Sequence, residues 1–365
     1  MELLIYAILL FAFAIIITIF VFLVKLILFI WKKLKPKGRA ITFGTIGLII
    51  AAVVVTNIAV RNYQNNLPIV SQRLDLRDYA PFTANTKAVF LEEESTLKLT
   101  ENLPRLDGAT ALYPVYAAFV QVVYPERGYF GNNDGIVQCT TTGTAYERLL
   151  NGETDIIFVA GASEEHAQFA RENGIELILT PIGKEAFVFF VNARNPVNGL
   201  TTAQIRDIYS GAITNWRDVG GRLRKILAFQ RETNSGSQTA MISFMNGGRL
   251  MSPPKDSQNK VQSENPMEGM IAGVADYRNQ GNAIGYSFLF FATEMAGNNQ
   301  IKLLAIDGVE PTRENVANGT YPHADYFYAV SVKDSQNPNV APFIEWILSE
   351  QGQKLIEKTG YTRVN

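Results

Sequence analysis

Three short turns in this 365-residue sequence combine glycine with small hydroxyl side chains: Asp107-Gly108-Ala109-Thr110-Ala111, Thr140-Thr141-Thr142-Gly143-Thr144 and Asn234-Ser235-Gly236-Ser237-Gln238-Thr239. Each adjoins an apolar run and leads toward a helical pattern. The N–H groups of a first helical turn have no partner within the helix, and neighbouring hydroxyls add further donors, so a turn of this composition suits an anion. Arg231 stands four residues before Ser235, at the end of an apolar run. Its planar guanidinium would hold a tetrahedral oxyanion through two hydrogen bonds, which a lysine does less specifically. Taken singly, each turn reads more simply as an N-cap; three converging turns would make an oxyanion cage.

Other chemistries find little support. The sequence has no G-x-x-x-x-G-K-[ST], G-x-S-x-G or H-E-x-x-H run, and no paired carboxylates near a candidate nucleophile. One cysteine, Cys139, permits no internal disulfide, and two histidines, His166 and His323, leave little for a metal cluster. Cys139 ends an apolar run and is expected as a buried, inert thiol, and both histidines as locally hydrogen-bonded groups. The expectation is no catalytic residue, no cofactor and no metal. Over 62–365 the chain carries 26 basic against 33 acidic residues, a net −7, which argues against nucleic acid as a partner.

The turns need a frame, and from Leu106 onward short β-rich runs alternate with helical ones. The patterns predict helices over 110–124, 144–152, 201–211 and 339–360, and one ending near 170–175. Strands are predicted over 136–139, 155–160, 176–182, 186–193, 225–232, 283–292, 302–307 and 326–332. A strand, helix, strand order implies an α/β protein with a parallel sheet flanked by helices, and about 250 residues suffice for two lobes facing a cleft.

Upstream the composition changes. Residues 3–24 are uncharged and mostly apolar, and 40–60 form a second such run. At about 1.5 Å per residue each is long enough for a hydrocarbon core of ~30 Å. Lys25, Lys32, Lys33, Lys35, Lys37 and Arg39 lie on the short connection. The positive-inside rule places that connection in the cytoplasm, so that both termini and all that follows Val60 face outward. The expectation is a multi-pass cell-membrane protein: a transmembrane hairpin over 1–61 with the lipid bilayer as partner, a juxtamembrane segment over 62–104 with no assigned chemistry, and a large extracytoplasmic domain.

Five stretches give the outward domain a family likeness: GATALYPVYAAF (108–119), TTGT with its following helix (141–149), DIIFVAGASEEH (155–166), FVFFVNARNPVNGLTTAQIRDIYSGAITNWRDVGG (187–221) and RETNSGSQT (231–239). Together they resemble the substrate-binding protein of phosphate ABC transporters, over roughly 105–360. The resemblance implies a type II periplasmic-binding-protein-like fold, with lobe 1 over 105–185 and 290–365, lobe 2 over 186–289, and hinge strands near 185–193 and 283–290. It implies binding of one dehydrated phosphate by Thr110 and the backbone of Ala111, by Thr141, and by Arg231, Ser235, Gly236 and Ser237 from the other lobe, with ABC permease subunits as partners. Where the family usually has an acidic residue that accepts the proton of hydrogen phosphate, this sequence has Ala160, followed by Glu164 and Glu165. Three readings stay open: a phosphate receptor feeding an ABC importer, a receptor or sensor for another oxyanion that signals through the hairpin, and an extracellular phosphatase or hydrolase.

Overall fold

A computed structural model describes residues 35–65, 69–70, 76–129, 135–231, 235–252, 277–278, 281–295 and 301–364. The chain divides into two compact units, Met1–Leu67 and Pro68–Asn365.

In the first unit the second apolar run folds as a helix, α1 (Pro36–Asn65). Pro36 opens it, at a position where a missing N–H removes no helical hydrogen bond. Thr45, Thr56 and Asn57 donate side-chain hydrogen bonds to carbonyls four residues back, so the helix itself satisfies these three polar groups. Its apolar side chains are open to solvent, with Ile41 70% and Leu48 73% exposed. Among the described residues no helix is long and apolar enough to cross a membrane. The first apolar run, 3–24, and Lys25, Lys32 and Lys33 lie outside the described residues. The expected pair of spans is therefore not a feature of the described structure.

The second unit opens with β1 (Ile69–Val70), and β2 (Leu106–Gly108) follows. A 3₁₀ turn (Thr110–Leu112) leads into α2 (Tyr113–Val123), then α3 (Thr142–Leu150), β3 (Ile156–Val159), α4 (Glu164–Glu172) and β4 (Leu177–Asn192). Next come β5 (Gly199–Leu200), α5 (Thr202–Ser210), β6 (Leu227–Ala228), α6 (Gly236–Phe244), β7 (Tyr277–Arg278) and β8 (Ala283–Phe288). The chain ends with β9 (Ile301–Leu303), β10 (Ala305–Ile306), α7 (Arg313–Ala317), β11 (Ala324–Val332), α8 (Val340–Leu348), α9 (Glu350–Thr359) and β12 (Thr362–Arg363).

Among the described residues eight strands form one sheet in the order β2-β3-β11-β4-β8-β6, with β9 and β12 also paired to β4. The expected parallel sheet is corrected to a mixed one. The β2–β3 and β6–β8 pairs are parallel, but β11 and β8 run antiparallel to β4, because the chain reverses each time it returns between lobes.

β4 is a single 16-residue strand where the sequence predicted two. Pro181 and Gly183 read as a break, yet they mark a bulge: Phe327 faces Gly183 and Tyr328 faces Pro181, so that Ile182 is skipped. A side chain at 183 would collide with the Phe327 ring, which is why glycine stands there. The predicted strand 136–139 reduces to a bridge between Leu106 and Val137. The predicted helix 339–360 breaks at Ser349, whose extended backbone both ends α8 and begins α9.

Two aromatic-rich cores flank the β4 crossing. The first gathers Tyr116, Phe119, Phe158, Phe343 and Trp346, together with Leu76, Ala88, Leu91 and Leu99, so part of the stretch expected as a juxtamembrane segment belongs to this lobe. The second gathers Phe189, Ile205, Tyr209, Trp216 and Met241. Leu304, Ile306, Val316 and Tyr321, expected in lobe 1, pack here because β9 pairs with the second half of β4.

Gly108 ends β2 against β3, and a side chain there would press on the Phe158 carbonyl. Gly108→Ala should destabilise the domain by about 1–3 kcal/mol, as overpacking does. Chemical denaturation is the check, and wild-type stability would show that the β2–β3 spacing relaxes freely.

Candidate functional site

The first turn is positioned by Asp107, which is fully buried. Its Oδ1 accepts from Gly108 N–H at 2.7 Å and Thr140 N–H at 2.8 Å, and its Oδ2 accepts from the Thr140 hydroxyl at 2.8 Å. Arg148 Nε of α3 lies 3.0 Å from Oδ2. Burial holds this carboxyl above its usual range, against the opposing pull of the Thr140 and Gly108 donors and Arg148. One side chain thus joins the first turn to the second across 33 residues of sequence. Cys139 lies beneath both, its thiol donating to the Gly108 carbonyl at 3.9 Å, and its burial pushes the thiol up to about 12, as an inert core group.

Thr141 caps α3 with φ 85° and ψ 165°, a conformation open essentially to glycine alone. No side-chain cap bond is made by its hydroxyl. The third turn is built differently. Ser235 caps α6 and its Oγ accepts from Gln238 N–H at 3.2 Å. Arg231 N–H donates to Gln238 Oε1 and to the Tyr286 hydroxyl, both at 3.0 Å, and that hydroxyl itself donates to Gln238 Oε1. Gln238 therefore locks the arginine's backbone to the helix start. Glu232, Thr233 and Asn234 lie outside the described residues.

The two lobes meet at these turns. A Cβ on Gly236 would stand 2.8 Å from Thr142 Oγ1. A cavity of about 400 Å³ opens beside this contact, lined by Ala109, Ala111, Thr142 and Ala160 from one lobe and by Gly236, Thr239 and Ala240 from the other. Of the predicted residues, Ala111 and Gly236 line it, while Thr110, Thr141, Arg231, Ser235 and Ser237 belong to the same turns without forming its wall. Tyr361 donates to the Ala111 carbonyl, holding the first turn from behind.

Ala160 does face the cavity. Glu164 and Glu165 do not; both are exposed on α4, and Glu164 pairs with Arg171 at 2.7 Å. His166 stacks on Tyr146 and lies 2.7 Å from the Ser163 hydroxyl. His323 lines the cavity, with Nε2 2.7 Å from the Thr202 hydroxyl, which donates to Asp307. Sequence reasoning did not assign roles to Asp107, Thr140, Gln238, Tyr286 or Glu185. Asp107, Thr140 and Gln238 stood inside the quoted turns, but the partners that tie them lie too far along the chain to be paired by inspection.

Two α/β lobes, joined by strands shared between them and facing a cavity rimmed by helix starts, define a two-lobed ligand-binding protein. The chain belongs to the PBP superfamily, whose domain profile matches residues 102–351. It is 27% identical over 296 residues to the protein SphX of Synechococcus elongatus, covering 77% of this chain and 82% of that one. It is 26% identical over 285 residues to the phosphate-binding protein PstS of Bacillus subtilis, covering 77% and 85%. The fold is shared with a putative phosphate ABC transporter substrate-binding protein from Clostridium perfringens, solved with bound phosphate, at a TM-score of 0.53 and 24% identity over 73% of this chain and 100% of that one.

Strain at Thr141 yields a direct expectation. Thr141→Gly should raise stability by about 1 kcal/mol or more, because glycine adopts this backbone without cost. Chemical denaturation measures it, and a destabilised variant would mean that the threonine side chain holds the turn.

Proposed function

We propose that this chain is an extracytoplasmic receptor for inorganic phosphate that delivers it to an ABC importer and performs no chemistry on it. The observation that carries this reading is the meeting of hydroxyl-bearing helix starts from both lobes at one cavity, with Thr142 against Gly236. The names of the relatives, phosphate-binding PstS above all, support the ligand. In this reading Thr110, the Ala111 backbone and Thr141 donate from lobe 1, and Arg231, Ser235, Gly236 and Ser237 from lobe 2. Binding selects the closed form, and the closed form is what a permease recognises.

Ala160 favours a second reading, a receptor for another oxyanion. A carboxylate accepts the proton of hydrogen phosphate and repels sulfate, which has none to donate; alanine does neither. Calorimetric titration of the full chain with phosphate and with sulfate separates the two. Tight phosphate binding with sulfate excluded supports the first, and comparable binding of both supports the second. Arg231→Ala should weaken binding of either anion about 10- to 100-fold, the worth of charge-assisted hydrogen bonds. Unchanged affinity would remove Arg231 from the site.

The membrane hairpin belongs to the same proposal. Two apolar runs around a basic connection support it, as do the exposed apolar side chains of α1. The expected result is that the full chain stays in the membrane pellet after an alkaline wash, and that deleting 1–61 releases it. Full release of the intact chain by the wash would leave α1 as a peripheral element.

A further inference from the structure

Glu185 has no place among the proposed anion contacts, yet it sits where the chain passes between lobes. β4 carries it across. Its register partner on β11 is Asp325, and two residues further on Phe187 faces Phe288, the last residue of β8. Phe187 N–H also donates to the His323 carbonyl at 2.9 Å, just before β11 begins. Three crossings of the chain therefore lie side by side at this point.

The Glu185 carboxyl fastens two of them. Oε1 accepts from Ala186 N–H on its own strand at 3.1 Å and from Phe290 N–H, beyond the end of β8, at 3.3 Å. Oε2 is buried and has no hydrogen-bond partner among the described residues. The residue is 8% exposed, and it forms part of the cavity wall. Around it stand the Leu289 backbone, Arg313 at the start of α7, a nearby cation, and the buried Tyr361 phenol beyond α9. Asp325 on β11 is exposed to solvent. Burial outweighs the backbone donors and Arg313 and pushes the Glu185 carboxyl up to about 8.

We propose that Glu185 is a positioning residue for closure: as the neutral acid it holds β4 to the exit of β8 in the closed receptor, and on losing its proton it favours the open one. This rests on the reading of the chain as a closing receptor. The physical reason is the wall it stands in. As arranged here a charge on Oε2 faces no hydrogen-bond donor and no solvent; parting of the lobes would let water reach and solvate it. Closure then takes up a proton. The closed form holds its full advantage below the open-state value, loses it as pH rises toward the closed-state value, and loses no more beyond.

Two measurements on the full chain test this. In the first, wild type and Glu185→Gln are titrated with inorganic phosphate from pH 6 to pH 9. The amide keeps an acceptor for Ala186 and Phe290 but does not ionise, and the ligand's own titration is common to both proteins and cancels in their ratio. The affinity of E185Q relative to wild type should rise at least about threefold between pH 6 and 8.5 and then level. A flat ratio overturns the proposal while leaving phosphate binding intact. The second measurement needs no ligand and no variant. Hydrogen exchange of the wild-type Phe290 amide, corrected for intrinsic base catalysis, should lose protection over the same range, while Phe158 in the first core does not. Unchanged protection at Phe290 overturns the proposal. If phosphate fails to bind at every pH, the phosphate reading falls, and exchange at Phe290 still decides the role of Glu185.

Discussion

The arrangement of the site depends on one buried carboxyl. Placing Asp107 out of reach of water costs several kcal/mol, which is offset only if every lone pair finds a donor. Gly108 N–H, Thr140 N–H and the Thr140 hydroxyl are the donors, and Arg148 adds an opposite charge 3.0 Å from Oδ2. Because they come from the end of β2, the approach to α3 and α3 itself, the first two turns move as one piece. The strained backbone of Thr141 follows from this. Thr140 is held on one side by Asp107, and on the other the Thr141 carbonyl accepts from Ala145 N–H at 3.0 Å, so the residue between them has no freedom to relax.

The opposite lobe is organised by a neutral group in place of a charged one. Gln238 takes both the Arg231 N–H and the Tyr286 hydroxyl, tying the β8 side of the sheet to the start of α6. Each half is thus set before any ligand arrives, and the remaining variable is the distance between the halves. Gly236 makes the shortest approach possible, since any side chain there would meet Thr142. On the proposed reading the work is divided: donor geometry is decided within each lobe, and occupancy by the closing of one lobe on the other.

Much of this was legible in the sequence where the signal is local. The Thr201–Gln204 capping box and the left-handed Gly211 bound α5 within a residue of the predicted helix, and the three turns do stand at helix starts. What could not be read was what depends on distant pairing. Pro181 and Gly183 have the composition of a turn, and only β11 alongside makes them a bulge within one strand. Glu185, between a lysine and an alanine, looks like an ordinary solvated charge, and its burial is a product of the meeting of β4 with the β8 exit. The return of 301–323 to the second core is likewise invisible until β9 is seen on β4.

Ala160 leaves a question of selectivity that the hydroxyls bear on. Backbone N–H groups and Arg231 are donors alone, so they bind any tetrahedral oxyanion in proportion to its charge and fit, and give a proton-bearing anion no advantage. A hydroxyl both donates and accepts. Ser235 already accepts from the Gln238 N–H, which leaves its oxygen less able to take the proton of a ligand. Thr141 is different, because its hydroxyl makes no cap bond and its unusual backbone turns it away from the geometry in which threonine normally caps a helix. On the proposed assignment, therefore, the strained residue has acceptor capacity to spare. Acceptance by a neutral hydroxyl is weaker than by a carboxylate, so a site built this way discriminates hydrogen phosphate from sulfate by a smaller margin than one carrying an acid at position 160.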